Sequence, residues 1–482
     1  MPESPQIKAS KRALFQALAI FAISALVFSL FAFDRITKPS TDPHFAYLAV
    51  TLNSMIAASL GNEGAKNRRK DRVSFELEKH PPHGNDWASY EEIRFKDGTL
   101  LKGTWLDKKR NGRFRLFSGD AMVLGPKELI GSKTKKRYFM SFPPGPSFVM
   151  MPLALVFDYK INDVILTVFF ASFNVALIFL LLVRLTQMGR SRRTTKENMW
   201  LTLLFGFGTA HLWLSVMGQV WFTALIMGAS FTLLFLYFSL ELRRPFLAGI
   251  FAAMAFSTRT PLLFACILFY LFLFFPEGKI RKGEWSETLK KGVWFTIPCL
   301  AMGLFLLYTN TIRFESPTEF GHSYLAGGGL DRIKNYGLFN FHFLSKNLAA
   351  LFTLLPRFQP DSPYVIVSKH GMSLLFASPA FFYLLAAKKH EDAKDIFLYR
   401  ALWLTVICIA IPHLLYQNTG YEQFSYRFSL DYTPYLILLL AIGDAPIKKG
   451  FKSAILFGVA VNAFGAIVFK RFSIFFSNGF FP

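Results

Sequence analysis

The chain has 482 residues, of which 52% are hydrophobic and 56 are Phe, with a positive mean hydropathy, more apolar surface than an ordinary soluble domain carries. A net charge of +23 invites a nucleic-acid reading. However, Lys and Arg gather in the N-terminal tail and in short connections around 184–197, 241–246, 276–291, 386–400 and 444–452, the positive-inside pattern of a membrane protein, which argues against nucleic acid as a partner. Cys266, Cys299 and Cys408 all fall in apolar runs and imply neither a disulfide framework nor a thiolate zinc site.

Helices satisfy their own backbone groups in lipid, and roughly 17–25 apolar residues span a bilayer, so an α-helical polytopic membrane protein is expected. In chain order the apolar runs are 13–33, 161–184, 199–217, 220–240, 245–257, 260–276, 293–312, 372–387, 400–417, 432–445 and 452–470. They predict about 11 transmembrane helices, with 245–257 and 432–445 short for a bilayer. The basic connections put the N-terminus in the cytoplasm. The first run follows Lys8-Ala-Ser-Lys11-Arg12 and is too long for a cleaved signal core, so it reads as an uncleaved span.

Three segments then face outward. The first begins with a membrane-surface helix over 37–61, apolar at Leu48, Val50, Leu52, Met55, Ile56 and Leu60. A polar linker over 62–70 leads into a β-rich insertion in this first external loop. Asp97-Gly98 between alternating runs predicts a hairpin, and Gly112–Phe117 and Lys136–Met140 add strands. The second, 313–371, holds Glu315, Glu319, His322, a Gly327-Gly328-Gly329 turn and an amphipathic stretch over 341–355. The third, 417–431, is short, polar and aromatic. The expected organisation is 1–61 (first span and surface helix), 62–140 (insertion), 141–312 (spans two to seven), 313–371 (external loop with surface helices) and 372–482 (spans eight to eleven).

Ionisable residues beside apolar spans are costly unless they have a partner or a role. On the outer side these are Asp34, Asp42, His44, Arg259, His322, Lys346, Arg357, Glu422, Arg427 and Asp431. Carboxylates among several cations suit acid–base chemistry beside a bound phosphate. Asp42 followed by Pro43 also fits a helix N-cap with Pro at N1, and the two roles are compatible. His211 sits in an apolar run and reads as a bundle residue. His80-Pro-Pro-His83-Gly-Asn-Asp86 offers metal-like ligand types, but a surface loop is the better reading. Trp87 and Tyr90 look like an exposed aromatic pair suited to stacking on a sugar, with packing under the insertion slightly favoured.

Four motifs carry a family resemblance. Asp42-Pro-His-Phe-Ala-Tyr-Leu-Ala resembles the first-loop acidic motif of GT-C glycosyltransferases, in particular the protein O-mannosyltransferase and aminoarabinose transferase group (family 39-like). Phe142-Pro-Pro-Gly-Pro-Ser resembles their proline motif, and Phe256-Ser-Thr-Arg259-Thr-Pro261 their turn between middle spans. The late motif resembles Gly420-Tyr-Glu-Gln-Phe-Ser-Tyr-Arg427-Phe-Ser-Leu-Asp431-Tyr-Thr-Pro434. The better-known members have adjacent Asp-Glu where Pro43 follows Asp42 here.

The resemblance implies an inverting glycosyltransferase. Its partners would be a polyprenyl-phosphate-linked sugar donor, a lipid, glycan or protein acceptor, and membrane lipids. The active site would lie on the periplasmic or extracellular face of the inner (plasma) membrane. Asp42 would be the general base, with Asp34 in reserve. Arg427 and Arg259, then His44, Lys346 and Arg357, would bind the donor phosphate. Tyr47, His322, Glu422 and Trp87 are candidate substrate contacts. No cofactor is implied; a divalent cation is compatible, with no defined metal site. A lipid or glycan transporter (flippase) and a non-catalytic envelope assembly protein are the alternatives, although no repeated halves are visible.

Overall fold

The computed structural model describes residues 5–61, 74–82, 86–106, 112–125, 129–325, 330–386, 392–443 and 445–481. The expected linker over 62–70, the Gly327–Gly329 turn and His83 lie outside them. The chain forms two compact units: Met1–Ser40, Asn162–Leu300 and Tyr336–Pro482 make the first, and Thr41–Ile161 with Ala301–Asn335 the second.

Six helices among the described residues are long and apolar enough to cross a membrane: Lys11–Thr37, Asp163–Gln187, Gln219–Leu242, Trp285–Phe314, Lys394–Leu415 and Lys449–Val468. The other five expected spans are shorter or interrupted. The 199–217 run is a helix over Thr195–Phe207 that stops at Gly208 and resumes as His211–Ser215. The 260–276 run starts as 3-10 turns over Thr260–Ala265, with Pro261 in its first turn, before an α-helix over Cys266–Phe274. The 372–387 run breaks at Pro379, between Leu374–Ala377 and a 3-10 stretch over Pro379–Ala386. Pro245–Phe256 and Thr433–Ile442 are single short helices. Proline lacks the amide that would continue a helical ladder, so the break at 379 follows from chemistry that a hydropathy window averages away.

In the first unit the Asp163–Gln187 helix packs against both the N-terminal helix and the Gln219–Ser239 helix. Asn162 caps it, accepting from the amides of Val164 and Ile165. Polar side chains join the buried faces. The Ser230 hydroxyl donates to Asn174 Oδ1 (2.5 Å), Asn174 Nδ2 donates to the Ile226 carbonyl (2.9 Å), and Thr167 and Thr223 hydroxyls meet at 2.7 Å. His211 is buried here beside the Gly206 carbonyl (3.2 Å), as the bundle reading expected. Gly218 takes φ +60 immediately before the Gln219 helix, and a Cβ there would lie 2.7 Å from Val164. Only glycine fits that turn.

The second unit holds the surface helix, now His44–Ser59, packed on Gly145–Phe157, where Asn53 Nδ2 donates to the Met151 carbonyl (2.8 Å). Its insertion is a five-stranded antiparallel sheet of β1 (Trp87–Arg94), β2 (Leu100–Trp105), β3 (Gly112–Leu116), β4 (Ala121–Leu124) and β5 (Lys133–Met140), in the order β4-β3-β2-β1-β5. Asp97 holds the β1–β2 turn by accepting from the Thr99 amide (2.9 Å). Gly103 lets β2 and β3 approach, since a Cβ there would sit 2.1 Å from the Arg115 carbonyl oxygen. Both faces are covered. Ile93, Phe114 and Leu124 pack on one side, and Ala88, Tyr90 and Phe139 meet Phe314, Tyr324 and Leu325 on the other. This explains why β1 does not alternate cleanly between buried and exposed residues.

Candidate functional site

In the second unit Asp42 is 6% exposed, and the Thr41 hydroxyl donates to its Oδ2 (2.6 Å). The capping role expected of it is not what forms. Pro43 occupies the N-cap, and its carbonyl accepts from the amides of Ala46 (3.0 Å) and Tyr47 (3.4 Å), so Asp42 precedes the cap position. His44 is fully buried, stacked on Trp87 with ring centroids 3.6 Å apart and planes 3° from parallel. Phe142 of the proline motif meets the same imidazole edge-on at 5.7 Å, so the first two motifs are in contact. Tyr47 packs against Trp87 (5.7 Å) and Tyr159 (4.8 Å).

Trp87 and Tyr90 are 6% and 5% exposed, so the packing favoured over an exposed pair is what forms: Trp87 lies against His44, Tyr47 and Leu77, and Tyr90 packs in the sheet core with Phe139 and Phe314. His322 sits in a 3-10 turn over His322–Tyr324, half-buried. Desolvation pulls its imidazole below the ordinary 6.5 against the opposing pull of Glu319 and Asp86.

In the first unit the middle and late motifs meet. Arg259 donates through Nε to both carboxylate oxygens of Asp431 (3.0 Å each) and through Nη2 to Oδ2 (2.8 Å). His413 Nε2 lies 2.9 Å from that same oxygen. Asp431 is fully buried. Burial alone would raise its carboxyl, but the Arg259 charge and the His413 hydrogen bond outweigh this and hold it below the usual range. The pair leaves the Nη1 edge of Arg259 outside it.

Phe428 lies at the centre. His413 stacks on its ring (4.8 Å, 17°), while the guanidinium carbons of Arg259 and Arg427 lie 5.3 and 5.4 Å from its centroid. Arg427 is buried, and its amide donates to Gln423 Oε1 (2.8 Å). The remaining candidates of this unit stand as follows. Glu422 pairs with Lys369 (3.0 Å), Lys346 lies over the Phe480 ring (5.1 Å), and Arg357 is exposed on a two-residue strand, Arg357–Phe358, reaching Gln359 (3.5 Å). Asp34 is bound by Arg471 (2.8 Å) and is mostly exposed.

His413 and Phe428 escaped the sequence reading. His413 had a signal, being ionisable within an apolar run. Among the described residues no group of three His, Cys, Asp or Glu is placed to hold a metal. No family model, curated protein or solved structure matches the chain.

Proposed function

We propose that the chain is an inverting membrane glycosyltransferase of GT-C type that takes its sugar from a polyprenyl-phosphate donor. The observation that carries this reading is the Arg259–Asp431 pair. It joins two of the four resembling motifs and sets Arg259 beside Arg427 across one aromatic ring. Guanidinium groups, buried in Arg427 and half-buried in Arg259, held by a ring and in Arg259 also by a carboxylate, favour recognition of a phosphate.

In this reaction the acceptor oxygen forms a bond to the anomeric carbon as its proton passes to Asp42. The bond from the anomeric carbon to the phosphate oxygen breaks, and its electron pair leaves with the lipid phosphate. Arg427, with Arg259, stabilises the charge that develops there. In this reading all eleven apolar runs enter the bilayer of the inner (plasma) membrane, with the N-terminus cytoplasmic and the chemistry on the periplasmic or extracellular face.

The test is transfer from a panel of labelled decaprenyl-phosphate hexoses and pentoses by the protein in nanodiscs. Asp42→Asn should lower transfer by roughly 10²–10⁴-fold, the usual contribution of a general base. Full activity in that variant removes the mechanism. Movement of intact donor across proteoliposomes without covalent transfer would instead favour a transporter.

A further inference from the structure

The contacts of Arg427 extend beyond the four motifs. Its guanidinium carbon lies 5.4 Å from the Phe222 centroid, and Lys470 Nζ lies 5.5 Å from that same centroid and 5.4 Å from Trp221. Arg259 and Arg427 thus share the Phe428 ring, and Arg427 and Lys470 share the Phe222 ring. Cation–π attraction holds such charges in place without cancelling them.

Lys470 is positioned by a chain of buried groups. Its ammonium donates to Gln219 Oε1 (3.1 Å), the Gln219 amide donates to Asp163 Oδ2 (3.0 Å), and the Ser40 hydroxyl and amide donate to the two Asp163 oxygens (2.5 and 2.8 Å). The contact with Gln219 orients the ammonium. The adjacent Arg471 has a different task, binding Asp34 and the carbonyls of Phe31 and Ala32.

We propose that Lys470 is a third phosphate-binding cation, acting with Arg427 on the phosphate of a prenyl-linked ligand. This rests on the donor reading above and deepens it. A sugar phosphodiester carries one negative charge, whereas the lipid phosphate monoester left after transfer carries up to about two near neutral pH. A site that gains negative charge during the reaction is served by a further cation beside Arg427.

The experiment measures binding of farnesyl phosphate, farnesol and inorganic phosphate to the full-length protein in nanodiscs. Wild type should prefer farnesyl phosphate to both others. Lys470→Gln should weaken farnesyl phosphate by roughly tenfold, the loss expected for one charge-assisted hydrogen bond, while leaving farnesol affinity and ligand-free thermal stability unchanged. Lys470→Arg should retain most of the affinity, and Lys452→Gln, near the start of the Lys449–Val468 helix, all of it. Wild-type affinity in Lys470→Gln alongside a loss in Arg427→Gln overturns the role of Lys470 and leaves the donor reading standing. An equal loss for farnesol in Lys470→Gln makes the residue structural and overturns the proposal. No preference for farnesyl phosphate over farnesol in wild type overturns both readings. Inorganic phosphate binding as tightly as farnesyl phosphate assigns the site to a soluble anion and overturns the lipid source.

Discussion

Asp431 receives three hydrogen bonds from Arg259, a residue 172 positions earlier, and one carboxylate thereby ties the turn after the Pro245–Phe256 helix to the loop before Thr433–Ile442. Removing one partner of a buried pair strands the other charge, typically at about 3–5 kcal/mol. Asp431→Asn and Arg259→Gln should therefore each lower the thermal midpoint substantially. The double variant Arg259→Met/Asp431→Leu should recover much of that stability without recovering transfer. Additive losses in the double variant would show that the two side chains do not act as a pair. Because the Asp431 carboxyl is held below the ordinary 3.8, its stabilising contribution is present above that value and is lost as pH falls through the folded-state value.

Asp34 and Asp42 separate by role. Asp34 is mostly exposed and bridged by Arg471, so Asp34→Asn should cost no more than about 1 kcal/mol of stability, as exposed ion pairs do, and leave kcat nearly unchanged. Asp42→Asn should leave the thermal midpoint close to wild type and reduce kcat by the roughly 10²–10⁴-fold of a lost base. Loss of turnover in Asp34→Asn with full turnover in Asp42→Asn would exchange the two assignments. Kinetics and thermal melts of both purified variants decide it.

The stack of Trp87 on His44 joins β1 to the start of the His44–Ser59 helix. Trp87→Ala should destabilise the protein by roughly 3–5 kcal/mol, the range for a large buried aromatic, and Trp87→Phe by distinctly less. Proteolysis after Lys and Arg of the 74–161 segment offers a local readout. Unchanged protection in Trp87→Ala would show that the stack contributes nothing to the fold.

His322 supplies a pH test. Its folded-state value lies below 6.5, so above 6.5 the imidazole is neutral whether folded or unfolded. As pH falls from 6.5 toward the folded-state value, the unfolded chain takes up the proton first, and stability is lost across that window. His322→Asn should flatten the slope there while leaving stability above pH 7 close to wild type. Identical slopes in the two proteins would mean that other groups carry the acid sensitivity.

Much of the architecture was legible because hydropathy and turn chemistry act locally. The six long helices coincide with six of the apolar runs, and Asp97-Gly98 forms the hairpin its residues demand. The interrupted segments were less legible. A sliding apolar window sees 260–276 as continuous, although only Cys266–Phe274 of it is α-helix. At the site, Arg259, Arg427 and Asp431 stood out as ionisable residues at span edges. What could not be read was their pairing, which depends on two helices and a loop distant in sequence meeting around Phe428. Lys470 had a signal that went unused. It and Arg471 form a basic pair at the end of the last span away from Lys448, Lys449 and Lys452, where the charge bias alone predicts few cations. The cover over Tyr90 comes from beyond residue 300, invisible to local pattern.

Arg471 also bears on how the chain is made. It donates to the carbonyls of Phe31 and Ala32, at the end of the first apolar helix, from 440 and 439 positions later. These bonds close a loop of more than four hundred residues, so this fastening of the first apolar helix forms only after Arg471 has been translated.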